Sequence, residues 1–197
     1  TKHKVFKILD AETSNRTILA SNTSSLSITE IAKATEKPER VIGTNWWNPP
    51  QIVPLVEILK GKRTSDDTVQ RTKETLSRVG KKPIVILKPI PGFIGNRLQF
   101  ALFREALALL QSGVASAEDI DTATVYGLGF RYAILGPLRV ADFGGIDVFY
   151  HISRELFKDL DCSKEPQRVL ARLVQNGKLG LKSGEGFYAY GIKESKQ

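Results

Sequence analysis

The sequence predicts an α/β domain over residues 1–88 followed by an all-helical domain over residues 89–197. Short apolar runs alternate with helix-forming stretches as far as residue 88. Pro89 and Pro91 then stiffen a connector. Beyond it, apolar residues recur at helical spacing and no convincing strand follows. A chain of 197 residues can hold one sizeable core or two small ones, so the division rests on this change of texture rather than on length.

The elements follow in order. Residues 4–12 put Val5, Phe6, Ile8 and Leu9 on one apolar helical face, and Ser14 and Asn15 end the pattern. Residues 17–20 read as a short buried strand ending in a polar segment, residues 21–25, and the carboxyl ends of strands are where open α/β sheets take their ligands. Ser27 and Glu30 have the spacing of a capping box, so a short helix follows. Residues 40–43 and 53–59 read as two further strands separated by an aromatic and proline-rich loop at 44–50. Residues 64–67 open a helix with hydroxyls and then acids near the positive end of its dipole, and Gly80 stops it. Residues 84–87 form the last buried strand. In the second part, residues 97–111 are apolar around most of their circumference, as expected of a helix buried on several sides. Ser116 caps another helix, residues 142–160 hold a further one, and residues 165–176 a last one ending at Gly177. Residues 193–197 read as a frayed tail.

Composition narrows the functional classes. Apolar residues make up 41% and charged residues 25%, and no apolar run reaches the roughly 18 residues of a membrane span. Thr1 opens on a charged, helix-like stretch without the features of a secretory signal, so a cytoplasmic protein is expected. The chain has no methionine, which implies that a segment precedes Thr1. Cys162 is the only cysteine, and His3 and His151 are far apart, so neither an internal disulfide nor a metal site is expected. The net charge is +8, but its lysines are dispersed and no nucleic-acid motif accompanies them. A phosphate-rich small molecule suits this charge better than a nucleic acid.

Four polar islands stand in apolar surroundings, at residues 21–25, 44–57, 91–97 and 182–190. Singly, each is explained by a loop, a rigid turn, a linker or a glycine-rich end. In sequence they read SNTSSLSIT from Ser21, NWWNPP from Asn45, PLVEIL from Pro54, PGFIGNRL from Pro91 and KSGEGFYAY from Lys182. This order and spacing resembles the 3-hydroxyacyl-CoA dehydrogenase family, whose members show SNTSSL, HFFNP, LVE, PGFxxNR and KTGEGFY. The resemblance runs the length of the chain. It implies the C-terminal part of a Rossmann NAD-binding domain, with the first βαβ unit missing, followed by a helical domain that makes a homodimer contact. It implies NAD as cofactor, an acyl-CoA or small hydroxy-acid substrate, and a place in fatty acid β-oxidation. The glycine-rich turn for the cofactor's pyrophosphate is then expected upstream, in the same or a companion chain.

Residue by residue, the resemblance assigns Lys2, Asn22 and Lys182 to the cofactor and Ser24, Asn48 and Asn96 to substrate. Asn96, at a helix start, has a capping role as its alternative. Glu57 matches the carboxylate that orients the catalytic histidine. Asn45 occupies that histidine's position, twelve residues before Glu57. An amide cannot accept the proton released as hydride leaves C3, and loss of a positioned base costs on the order of 10² to 10⁴ in rate. The resemblance therefore implies a site that binds but turns over poorly. Residues 48–57, 96–99 and 127–138 also resemble the gulonate dehydrogenase and lambda-crystallin branch, which leaves open a substrate without coenzyme A, or a non-catalytic relative. Trp46 and Trp47 either wall the substrate pocket or pack as core and lid.

Overall fold

The structure is a computed structural model that describes residues 1–23, 27–88 and 90–191. Ser24, Pro89 and the tail at residues 193–197 lie outside the described residues. The chain divides into two compact units, Thr1–Leu98 and Gln99–Gln197, and the division falls inside a helix.

The first unit carries a four-stranded sheet in the order β1 (Leu19–Ser21), β2 (Val41–Trp46), β3 (Leu55–Lys60), β4 (Lys82–Ile86). β1 pairs parallel with β2, β2 antiparallel with β3, and β3 parallel with β4. Helices α1 (Lys2–Glu12), α2 (Ile28–Ala32) and α3 (Asp66–Arg78) cover the sheet. Side chains alternate across the pleat. Val41 and Leu59 join Phe6, Leu19, Ile28, Ile31 and Phe93 in one core cluster. Ile42, Val56 and Ile58 join Leu76 of α3 in a second, on the other face. Burying each such side chain contributes about 1.5–3 kcal/mol. Gly43 admits α2 closely, since a Cβ there would lie 2.8 Å from Ile28.

Several elements differ in extent or burial from what the sequence predicts. The strand expected at 40–43 runs to Trp46, because Thr44, Asn45 and Trp46 pair with Ile58, Glu57 and Val56 despite their loop-like polarity. The strand expected to be buried at 84–87 is an outer one in which only Ile86 is buried, and an outer strand also accommodates Pro83. On α1 only Phe6 is buried, while Val5 and Ile8 face outward. Ser27 is the N-cap of α2 but its side chain makes no capping bond, and Glu30 pairs with Lys33 at 2.8 Å instead of reaching back. The start of α3 follows expectation: Ser65 accepts from the Thr68 N–H, and Asp66 and Asp67 occupy the first turn. Arg40, which the sequence does not single out, is buried and forks onto Asp10 at 2.8 Å, with further bonds to the carbonyls of Asp10, Ser14 and Thr17.

The second unit is helical: the rest of α4 (Gly95–Ser112), α5 (Ala117–Ala123), a π-helical turn (Thr124–Gly129), α6 (Phe130–Tyr132), α7 (Pro137–Gly144), α8 (Ile146–Leu156) and α9 (Arg168–Gln175). The helix expected at 142–160 is two, broken where Gly145 takes φ 93°. α4 is not buried on several sides. Leu107 is covered by a lining that includes Ala117, Ile120 and Phe187 around a cavity of about 80 Å³, whereas Phe100 and Leu102 are exposed. The Tyr188 hydroxyl donates to Asp121 at 2.7 Å, which pushes its pKa up to about 12. No described helix is long and apolar enough to cross a membrane.

Candidate functional site

The antiparallel register sets Asn45 directly opposite Glu57, and the pleat puts both on the sheet face shared with Val41 and Leu59. Glu57 is wholly buried and Asn45 nearly so. A carboxylate in that position is costly unless its oxygens are satisfied. Here Oε2 accepts from Asn45 Nδ2 at 2.8 Å and from Trp47 Nε1 at 3.4 Å. Oε1 accepts from the backbone N–H groups of Ile94 and Gly95, both at 3.0 Å. The four donors fill the acceptor capacity of the carboxylate. Its charge also lies against the positive end of α4, where helix geometry favours an anion.

The turn before α4 delivers those N–H groups. Gly92 and Phe93 are both left-handed, at φ 77° and 53°. For phenylalanine this conformation costs on the order of 1–3 kcal/mol, offset here by burial of its ring in the core. Gly95 has a different reason to be glycine: a Cβ there would lie 2.3 Å from Cζ2 of Trp47.

The two tryptophans separate. Trp46 packs against the Ile42, Val56 and Ile58 cluster, donates from its indole to Thr44 Oγ1 at 3.2 Å, and has the Lys81 ammonium 5.6 Å from its ring centre. It is core. Trp47, beyond the end of β2, belongs to the Glu57 cluster.

At the carboxyl ends of β1 and β2 a second group forms. Lys2 Nζ donates to Ser21 Oγ at 3.1 Å and to the Asn22 carbonyl at 2.8 Å, while Asn22 Oδ1 accepts from the Trp46 N–H at 3.4 Å. Lys2 and Asn22 are thus brought together, one residue along β2 from Asn45. Asn96 is half-buried in the first turn of α4, next to Gly95; since α4 begins at Gly95 it is inside the helix, and the capping role falls to Glu57 from a distant strand. Asn48 is exposed in the turn after Trp47. Lys182 is exposed in a turn of the second unit. Ser24 lies outside the described residues. Sequence reasoning missed the Trp47 indole, the Ile94 and Gly95 N–H groups and Ser21 Oγ. One signal was available: a long helix opening on Phe-Ile-Gly, with no local Ser, Thr or Asp to cap it, requires an acceptor from elsewhere.

Residues 1–90 match the model of the 3-hydroxyacyl-CoA dehydrogenase NAD binding domain, and residues 92–190 match that of the 3-hydroxyacyl-CoA dehydrogenase C-terminal domain. The chain belongs to the 3-hydroxyacyl-CoA dehydrogenase family. Its first unit is part of a Rossmann-like NAD-binding domain and its second is the family's helical domain. A probable 3-hydroxybutyryl-CoA dehydrogenase of Bacillus subtilis is 42% identical over 195 residues, covering 98% of this chain and 67% of that protein. A 5-formyl-3-hydroxy-2-methylpyridine 4-carboxylate 5-dehydrogenase of Mesorhizobium japonicum is 35% identical over 195 residues, 99% of this chain and 63% of that protein. The crystal structure of such a pyridine-carboxylate dehydrogenase, described as an NAD+-dependent dismutase, superposes with a TM-score of 0.90 at 35% identity, over 99% of this chain and 63% of that one. An (S)-3-hydroxybutyryl-CoA dehydrogenase from Ralstonia eutropha gives 0.70 at 36% identity, over 96% of this chain and 66% of that one. The chain thus spans about two-thirds of the length of these relatives.

Proposed function

We propose that this chain is the substrate-facing portion of an NAD-dependent dehydrogenase of L-3-hydroxyacyl-CoA, such as 3-hydroxybutyryl-CoA, whose turnover is slowed by Asn45. The observation that carries the reading is the 2.8 Å bond from Asn45 Nδ2 to Glu57. An imidazole N–H paired with that carboxylate would leave its other nitrogen to accept a proton. The amide keeps the donor and has no basic nitrogen. Glu57 does not take over as base, because it is fully buried and its oxygens already accept four hydrogen bonds.

Ser24, Asn48 and Asn96 bind substrate in this reading, and Lys2, Asn22 and Lys182 serve the cofactor. NAD fits the first unit: Lys2 sets a cation at the carboxyl ends of β1 and β2, where a doubly wound sheet receives a dinucleotide. When bound, NAD supplies the hydride acceptor. The complete protein further pairs as a homodimer through its helical unit, a reading supported by the exposed Phe130, Ile134, Leu138 and Phe143.

A second reading replaces acyl-CoA with a small carboxylic acid that has no thioester. It is favoured by the TM-score of 0.90 to a pyridine-carboxylate dehydrogenase, against 0.70 for a hydroxybutyryl-CoA enzyme at similar identity. Titration of the complete protein with NADH and acetoacetyl-CoA tests the first reading. Saturable binding of both is expected, with turnover lowered on the order of 10² to 10⁴ by the missing base. Binding of NADH without acetoacetyl-CoA transfers support to the small-acid reading, and binding of neither contradicts both.

A further inference from the structure

We infer that Glu57 and Trp47 are positioning residues for substrate, acting through the start of α4 and independently of any catalytic base. The inference rests on the preceding reading of Asn96 as a substrate contact. One carboxylate oxygen holds the N–H groups of Ile94 and Gly95 at 3.0 Å each, and these are the two residues before Asn96. The other oxygen holds Asn45 and the Trp47 indole. Trp47 in turn lies against the Cα of Gly95 closely enough that a Cβ would overlap its ring. The first turn of α4 is therefore held from two directions: an anion bonds its N–H groups and an indole limits its approach.

The turn leading into α4 makes this clamp necessary. Phe93 is left-handed, a conformation that persists only where its surroundings over-determine it. Phe93 is buried in the sheet's core on one side, and the next two N–H groups are bound by Glu57 on the other. Release of the carboxylate frees the Ile94–Gly95 segment to relax, and Asn96 moves with it. A base-orienting role alone gives Glu57 nothing to do in a chain that carries Asn45, yet here it is wholly buried and anchors a helix.

The test uses the complete protein with Asn45 in place, where no proton transfer can obscure the result. Glu57→Gln keeps the shape but replaces charge-assisted bonds with weaker ones and turns an amide toward two donors. Hydrogen exchange at the Ile94 and Gly95 amides is expected to accelerate at least tenfold, with Leu76 in α3 unchanged. Acetoacetyl-CoA affinity is expected to fall at least tenfold while NADH affinity stays within twofold. Exchange and affinity that both stay within twofold overturn the inference, as does an equal loss of the two ligands in a protein whose Leu76 protection is intact. Should Glu57→Gln lose Leu76 protection as well, Gly95→Ala decides. That variant, whose Cβ would meet the Trp47 ring, is expected to lose acetoacetyl-CoA affinity at least tenfold with NADH affinity and Leu76 protection intact; no loss, or an equal loss of both ligands, overturns the inference. The unmodified protein's own titration reports separately on the dehydrogenase reading, and the exchange arm needs no ligand.

Discussion

The two units manage apolar surface in opposite ways. The first encloses nearly all of its sheet-facing residues: Val41, Ile42, Val56 and Ile58 have no exposure. In the second, Leu107 is the one buried large hydrophobic among the described residues, while Phe130, Leu138 and Phe143 are 70%, 82% and 81% exposed. A sheet with helices on it completes two cores within its own residues, whereas the helices of 3 to 11 residues beyond α4 hold no buried residue and leave most of their apolar side chains uncovered. The site draws its rigidity from the first unit. The Asn45, Glu57 and Trp47 cluster stands wholly on the self-sufficient unit.

The largest effect that would break this contrast lies in the first unit. Arg40→Ala strands Asp10 in a buried site, and removing one partner of such a pair costs about 3–5 kcal/mol. Both tryptophans lie in that unit, so the fall is read as an earlier denaturant midpoint by fluorescence. The same pair sets an acid response. Burial raises the Asp10 pKa, but bonds from the Arg40 side chain and the Glu36 N–H, with the guanidinium charge, hold it below its ordinary 3.8. A lowered folded value means that the pair's stabilisation is complete above about 3.8 and is lost as pH falls through the folded value. Asp10→Asn is expected to remove that acid-side slope from the stability curve.

In the second unit, Phe143→Asp in the complete protein is expected to shift the sedimentation coefficient from dimer to monomer without moving the fluorescence midpoint. An unchanged oligomeric state would break the assignment of the exposed faces to a dimer contact. The smallest effect sharpens the contrast. Ser65 and Ser116 cap α3 and α5 in the same way, each accepting the N–H three residues on, so replacement by Ala removes about 1 kcal/mol in either case. Ser65→Ala is expected to lower the fluorescence midpoint, and Ser116→Ala to leave it in place while speeding hydrogen exchange across α5.

Much of the first unit was legible because its signals are local. The α3 start at Ser65, its stop at Gly80 and the apolar strands announce themselves within a few residues. What escaped depends on partners distant in sequence. Polar Thr44 and Asn45 become strand only when β3 is beside them, and Gly95 opens α4 only because Glu57 lies opposite. The pairing of Asn45 with Glu57 was legible through family resemblance, whereas the roles of Trp47 and the Ile94 N–H required coordinates. In the second unit helical periodicity revealed α9 but overstated the burial of α4, because periodicity reports an apolar face and not what covers it.

In the proposed reading, slow turnover comes from the lack of a proton acceptor at residue 45. Asn45→His in the complete protein, assayed by NADH formation from L-3-hydroxybutyryl-CoA, tests it most directly. A gain of about tenfold or more, with a rate that rises through a pKa near that of imidazole, is predicted. A histidine variant that binds both ligands and turns over no faster than the Asn45 protein would contradict it.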